Sequence, residues 1–110
     1  MQSRDKEFII PLTEIDRAAV RFGRRGRTVT DFSVQYEALI GGEWRKIVRY
    51  DSAHGAPHRH NFRPNGSEVW SLFPYYPHNL ALDEALARVK KGFGGMRASY
   101  LQHMKRGKDE

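Results

Sequence analysis

The chain has no cysteine, so no disulfide can brace it and no thiolate can hold a metal. Any metal would need histidine, carboxylate or water as ligands. A long apolar run is also missing: nothing approaches the roughly 20 consecutive apolar residues that span a bilayer, and the opening MQSRDKEF has no signal-peptide core. These absences lead us to expect a soluble, cytoplasmic protein with no membrane partner. The chain is also short. Its 110 residues can bury one core with little left for a second, and they show no repeat or low-complexity linker, so a single domain over 1–110 is expected.

Positive charge, by contrast, is plentiful: the net charge is +6 and the pI about 9.9. Residues 1–30 hold seven Lys/Arg against four acids, residues 31–85 five against seven, and residues 86–110 seven against two, giving +3, −2 and +5. The arginine cluster RFGRRGR, with Arg24, Arg25 and Arg27 at its centre, suits phosphate contacts on RNA or DNA. A solvated basic loop would carry the same residues.

The fold class expected is α+β, an antiparallel sheet of about four to five strands packed by one long C-terminal helix. We divide it into a basic N-terminal segment 1–30, a two-hairpin sheet 31–73 and a helix about 82–105. EFIIPL, stopped by Pro11, reads as an edge strand. TEIDRAAVRF has Thr13 with Asp16 three residues on, and Ile15, Ala19 and Phe22 at helical spacing, which predicts a short helix. Phe32, Val34, Tyr36, Ala38 and Ile40 alternate strictly with Asp31, Ser33, Gln35, Glu37 and Leu39, the pattern of a strand with one buried face.

After Gly41-Gly42, EWRKIVRYD continues as the partner strand. A two-residue turn would place Arg45, Arg49 and Asp51 on the apolar face, so a three-residue loop, Gly41 to Glu43, is expected. That loop pairs Ile40 with Trp44, Tyr36 with Val48 and Val34 with Tyr50, while Gln35 faces Arg49 and Ser33 faces Asp51. HRHNFRPNGSEVWSLF reads as a second hairpin turning at Asn65-Gly66, with His58, His60 and Phe62 on one face. Downstream, Leu82, Leu86, Val89, Phe93, Met96 and Tyr100 form an apolar stripe that stays in phase through Gly92, Gly94 and Gly95. One long amphipathic helix is expected, with Asn79 or Asp83 near its start.

The stretch YDSAHGAPHRH, Tyr50 to His60, gathers three of the five histidines around a glycine and a proline. A carboxylate such as Asp51 can orient and polarise an imidazole, and Gly55 with Pro57 can turn the chain back so that His58 returns beside Asp51. Asp51, His54 and His58 are the candidate catalytic residues, with Arg49 or Arg59 at the rim to bind phosphate. Alternate residues on a strand lie about 6.6 Å apart, so His54, His58 and His60 could instead hold a zinc ion. Asp51 could equally cap the following turn, leaving the histidines to organise a loop. The metal question stays open, and no cofactor is expected.

FSVQYEALIGGEWRKIVRYDSAHGAPHRH resembles the core of a group of small prokaryotic proteins that share Arg-Tyr-Asp, then Ala-His-Gly, then His-Arg. In this chain those positions are Arg49, Tyr50, Asp51, His54, Gly55, His58 and Arg59. More distantly the chain is similar to the TumE-type toxins of toxin–antitoxin systems. The resemblance implies an α+β fold, a toxin activity directed at RNA and an antitoxin-type protein partner. From the residues alone three readings stand: an RNA-cleaving or RNA-modifying toxin, a non-catalytic nucleic-acid-binding or protein-interaction module resting on Arg24, Arg25, Arg27 and the basic C-terminal helix, and a structural protein; Arg49 and Arg59 complete the candidate nucleic-acid contacts. A homo-oligomer is compatible with each.

Overall fold

The computed structural model describes residues 3–53 and 55–109. Six strands precede one helix: β1 (Ser3–Thr13), β2 (Asp16–Arg25), β3 (Thr28–Ile40), β4 (Glu43–Asp51), β5 (His58–Phe62), β6 (Glu68–Leu72) and α1 (His78–Asp109). The strands lie in one sheet in chain order, and every neighbouring pair is antiparallel. The fold is therefore α+β, with an antiparallel sheet and one C-terminal helix. Among the described residues the strands number six, above the four to five expected.

The additional strand comes from the segment read as a helix. Residues 16–25 are β2, hydrogen-bonded between β1 and β3. The same residues satisfy a period of two, with Ala18, Val20 and Phe22 on one side and Arg17, Ala19 and Arg21 on the other. Pairing on both edges supplies every backbone bond that a helix would have supplied. Thr13 and Asp16 form a turn here: the Thr13 hydroxyl donates to Asp16 and accepts the Ile15 amide at 3.1 Å. The described part of the basic segment, residues 3–30, is thus a hairpin followed by the start of β3. β1 is an edge strand as expected, and it continues past Pro11 with a register shift before Thr13.

The β3–β4 hairpin corrects a second expectation. Its loop has two residues, because Gly41 and Gly42 both take positive φ (61° and 80°), the geometry that matches strand twist, and Ile40 pairs with Glu43. Leu39 then faces Trp44, which puts Trp44 on the face away from Val34 and Tyr36. A bulge at Ile47 inserts one residue between the Glu37–Lys46 and Tyr36–Val48 pairs. Beyond it the expected register holds: Val34 with Tyr50, Gln35 with Arg49, Ser33 with Asp51. The bulge reconciles a tight glycine turn with a buried face whose register is one residue out of step. Ile47 and Val48 are both buried as a result.

The helix runs unbroken for 32 residues, about 48 Å at 1.5 Å per residue, and accounts for most of the 54 Å long axis. Its apolar stripe packs on one sheet face, on Val20, Val34, Tyr36, Val48 and Tyr50. Ala81 and Ala85 join the expected stripe residues, and both are fully buried. The helix begins four residues before the expected start. Asn79 does not cap it; its side chain docks on the β2–β3 turn, accepting from the Val29 amide and donating to the Arg27 carbonyl, both at 2.9 Å. No described element covers the other sheet face.

Candidate functional site

That open face carries the polar sequence positions. β4 and β5 pair so that Asp51 stands opposite His58 and Arg49 opposite His60. β6 then sets Trp70 opposite His60 and Leu72 opposite His58. Strand alternation sends all of these side chains to the helix-free side. Ser52 closes the end of β4 by accepting the Phe32 amide at 2.9 Å through its hydroxyl, which fixes the strand where Asp51 leaves it.

Asp51 is the centre of the arrangement. Its Oδ2 accepts from Arg49 Nε at 2.9 Å and lies 3.3 Å from His60 Nε2, while Oδ1 accepts the Ala53 amide at 3.3 Å. On the other side of the ring, His60 Nδ1 is 2.9 Å from Glu68 Oε1. His60 therefore sits between two carboxylates, bonded to Glu68 through Nδ1, while its buried Nε2 faces Asp51 without a hydrogen-bond partner. Asp51 and His60 are buried, at 6% and 8% exposure. From Arg49 the polar row continues to Gln35 Oε1 (3.4 Å), then Gln35 to Glu37 (2.6 Å) and Arg17 to Glu37 (2.7 Å). It crosses the sheet from β6 to β2.

Aromatic rings border this row. The His58 ring meets Trp70 edge-on at 4.9 Å, and the His60 ring lies parallel to Phe62 at 6.2 Å. Lys46 and Arg49 stand over the Phe62 ring at 4.5 and 5.2 Å. Trp70, 60% exposed, presents its indole to solvent at the sheet edge.

The structure thus brings together Asp51, His58 and Arg49, and separates them from other candidates. His54 lies outside the described residues. Arg59 stands on the helix side, its guanidinium 5.4 Å from the Tyr50 ring and its Nε donating to Asn61 at 3.2 Å. It cannot form the rim of the Asp51 cluster, because adjacent residues of a strand face opposite ways. Tyr50 belongs to the core, packed on Phe73 at 4.7 Å. Burial raises its hydroxyl above the ordinary tyrosine range, against the lowering influence of Arg59 and Arg88. Arg24, Arg25 and Arg27 lie at the same end of the sheet as Asp51 but on β2 and the β2–β3 turn, two strands away. His58 and His60 have ring centroids 6.5 Å apart, and no group of three His or carboxylate side chains among the described residues is arranged to hold a metal.

Glu68 and Trp70 were not among the site residues expected, and His60 was expected there only as a zinc ligand. Counting outward from a two-residue Asn65-Gly66 turn would pair Phe62 with Val69 and His60 with Ser71; the loop instead takes three residues, Pro64 to Gly66, closed by the Arg63 amide on the Ser67 carbonyl at 2.8 Å, and this sets Phe62 opposite Glu68 and His60 opposite Trp70. Glu68 reaches His60 diagonally, a contact that pairwise register does not list.

Residues 2–106 match the sequence model of a family described as a domain of unknown function, DUF7718. No curated protein and no solved structure matches the chain.

Proposed function

We propose that this chain, which belongs to the family of the domain of unknown function DUF7718, acts on RNA at the open face of its sheet, as a toxin of the toxin–antitoxin type. The observation that carries the reading is the pairing of His58 with Asp51 beside His60, with Arg49 and an exposed Trp70 alongside, on a face that no described element covers. An indole at that edge offers a base a stacking surface. Arg49 and Lys46 supply positive charge for phosphate.

In this reading His58 takes the proton of a ribose 2′-hydroxyl, and the 2′ oxygen attacks the neighbouring phosphorus. The P–O5′ bond breaks, and the departing oxygen takes a proton from solvent. The products are a 2′,3′-cyclic phosphate and a 5′-hydroxyl. Asp51, His60 and Glu68 act as positioning residues that tie β4, β5 and the edge strand β6 together. A cytoplasmic setting and an antitoxin-type protein partner belong to the same proposal.

A second reading has its own support: His60 is buried with a carboxylate on either side, as a strut would be. The chain would then bind RNA without cleaving it. The two are separated by incubating purified protein with labelled single-stranded RNA and analysing binding and fragment ends. Cyclic phosphate ends that vanish in His58→Ala, with binding retained, support cleavage. Binding without fragments supports the second reading, and absence of both overturns the proposal.

A further inference from the structure

On the helix side of the sheet, away from the histidine cluster, the C-terminal half of α1 lies across from β5 and the β5–β6 turn. Two adjoining hollows of about 290 and 440 Å³ lie between them, and both are lined by Arg63, Val69 and His103. Arg59 lines the first and Arg106 the second. No carboxylate among the described residues lines either one. One part of the first hollow's wall is apolar, formed by Ile47, Met96 and Tyr100, and Asn61 and Ser99 add polar groups beside it. Gly95 also lines it, and a Cβ built there would meet nothing within 4 Å.

Like charges gathered without a counterion repel one another, and here they converge from three elements. Arg59 comes from β5, Arg63 from the β5–β6 turn and Arg106 from α1. Arg63 Nη1 lies against both ring nitrogens of His103, 2.7 Å from Nδ1 and 2.5 Å from Nε2, so the guanidinium and the imidazole are in direct contact. Desolvation, then Arg63, then Arg106 hold His103 below the ordinary histidine range. An anion entering the cleft would remove this repulsion and form charge-assisted hydrogen bonds to the guanidinium groups.

We propose that this cleft binds a phosphate-bearing ligand with an apolar or planar body, the phosphate on Arg59, Arg63 and His103 and the body against Met96 and Tyr100. A mononucleotide is the simplest such ligand. The same chemistry is offered by a phosphate and base of a single-stranded RNA. The site is independent of the His58 cluster, which occupies the opposite face.

The test follows the His103 ring by NMR while adenosine monophosphate, adenosine, inorganic phosphate or a short single-stranded oligonucleotide is added. The monophosphate is expected to shift the ring signals and raise the pH at which they titrate, and adenosine is expected to leave them in place. A response to the oligonucleotide alone would support the site with RNA as the source of the phosphate. Arg59→Gln and Arg63→Gln should each weaken binding about tenfold, the loss of one good charge-assisted contact. Gly95→Phe, which fills the hollow from the helix, should abolish binding while the circular dichroism spectrum stays native. His58→Ala should bind normally, which separates this site from the open face. An unmoved His103 ring with all four probes at millimolar concentration would overturn the proposal, as would an equal response to adenosine.

Discussion

Arg97, midway along the helix, donates from Nη1 to both carboxylate oxygens of Asp16, at 2.9 and 2.7 Å, and Asp16 is wholly buried at the start of β2. The Tyr36 hydroxyl donates to the same carboxylate. Burial, followed by the hydrogen bond and charge of Asp16, drives the Tyr36 hydroxyl far above its ordinary range. One acid therefore ties the helix to β2 and β3.

Removing either charge should be costly. Arg97→Met leaves a buried carboxylate with only hydroxyl donors, and about 3–5 kcal/mol of stability should be lost. Asp16→Leu combined with Arg97→Met should recover much of that loss, because two well-packed apolar groups avoid desolvating the charges. Urea denaturation of the single and double variants measures both.

Glycines in two settings should respond in opposite directions. Gly42 holds φ at 80° in the hairpin turn, and Gly42→Ala should lose about 1–2 kcal/mol by forcing a side chain into the left-handed region. Gly95 lies within the helix facing open space, and Gly95→Ala should gain about 1 kcal/mol. Thermal melts of the two variants read this directly.

Trp70 is the cleanest probe of the open face. At 60% exposure it contributes little to the core, so Trp70→Ala should change stability by less than about 0.5 kcal/mol. If bases stack there, the same change should weaken binding of single-stranded RNA by about 1–3 kcal/mol. Fluorescence anisotropy with a labelled oligonucleotide supplies the measurement; undiminished affinity would place RNA elsewhere.

The depressed His103 gives a pH dependence of definite sign. Its folded-state pKa lies below the ordinary 6.5, so on acidification the unfolded chain takes up this proton before the folded one. The contribution is complete above about pH 6.5 and declines as the pH falls through the histidine range toward the folded value. Desolvation contributes most to it, followed by the charges of Arg63 from the β5–β6 turn and Arg106 from the helix. His103→Asn should flatten the stability difference between pH 7.5 and 5.5 in chemical denaturation.

The local chemistry of the sequence determined much of this protein. Alternation from Phe32 to Ile40 fixed a strand and its buried face, Asn65-Gly66 fixed a turn, and the Leu82 to Tyr100 stripe fixed the helix, since each signal is carried by neighbours along the chain. The approach of His58 to Asp51 was legible for the same reason, through a short loop holding Gly55 and Pro57. The tertiary structure decided what depends on competing partners. Residues 16–25 fit both a helical and a strand period, and the hydrogen-bonding edges of β1 and β3 selected the strand. The bulge at Ile47 arose because a glycine turn and a buried face demanded registers one residue apart. Glu68 joined His60, Arg59 left the cluster for the helix side, and Asp16 met Arg97 across 81 residues, because sheet pairing and helix docking place in contact groups that no local pattern relates.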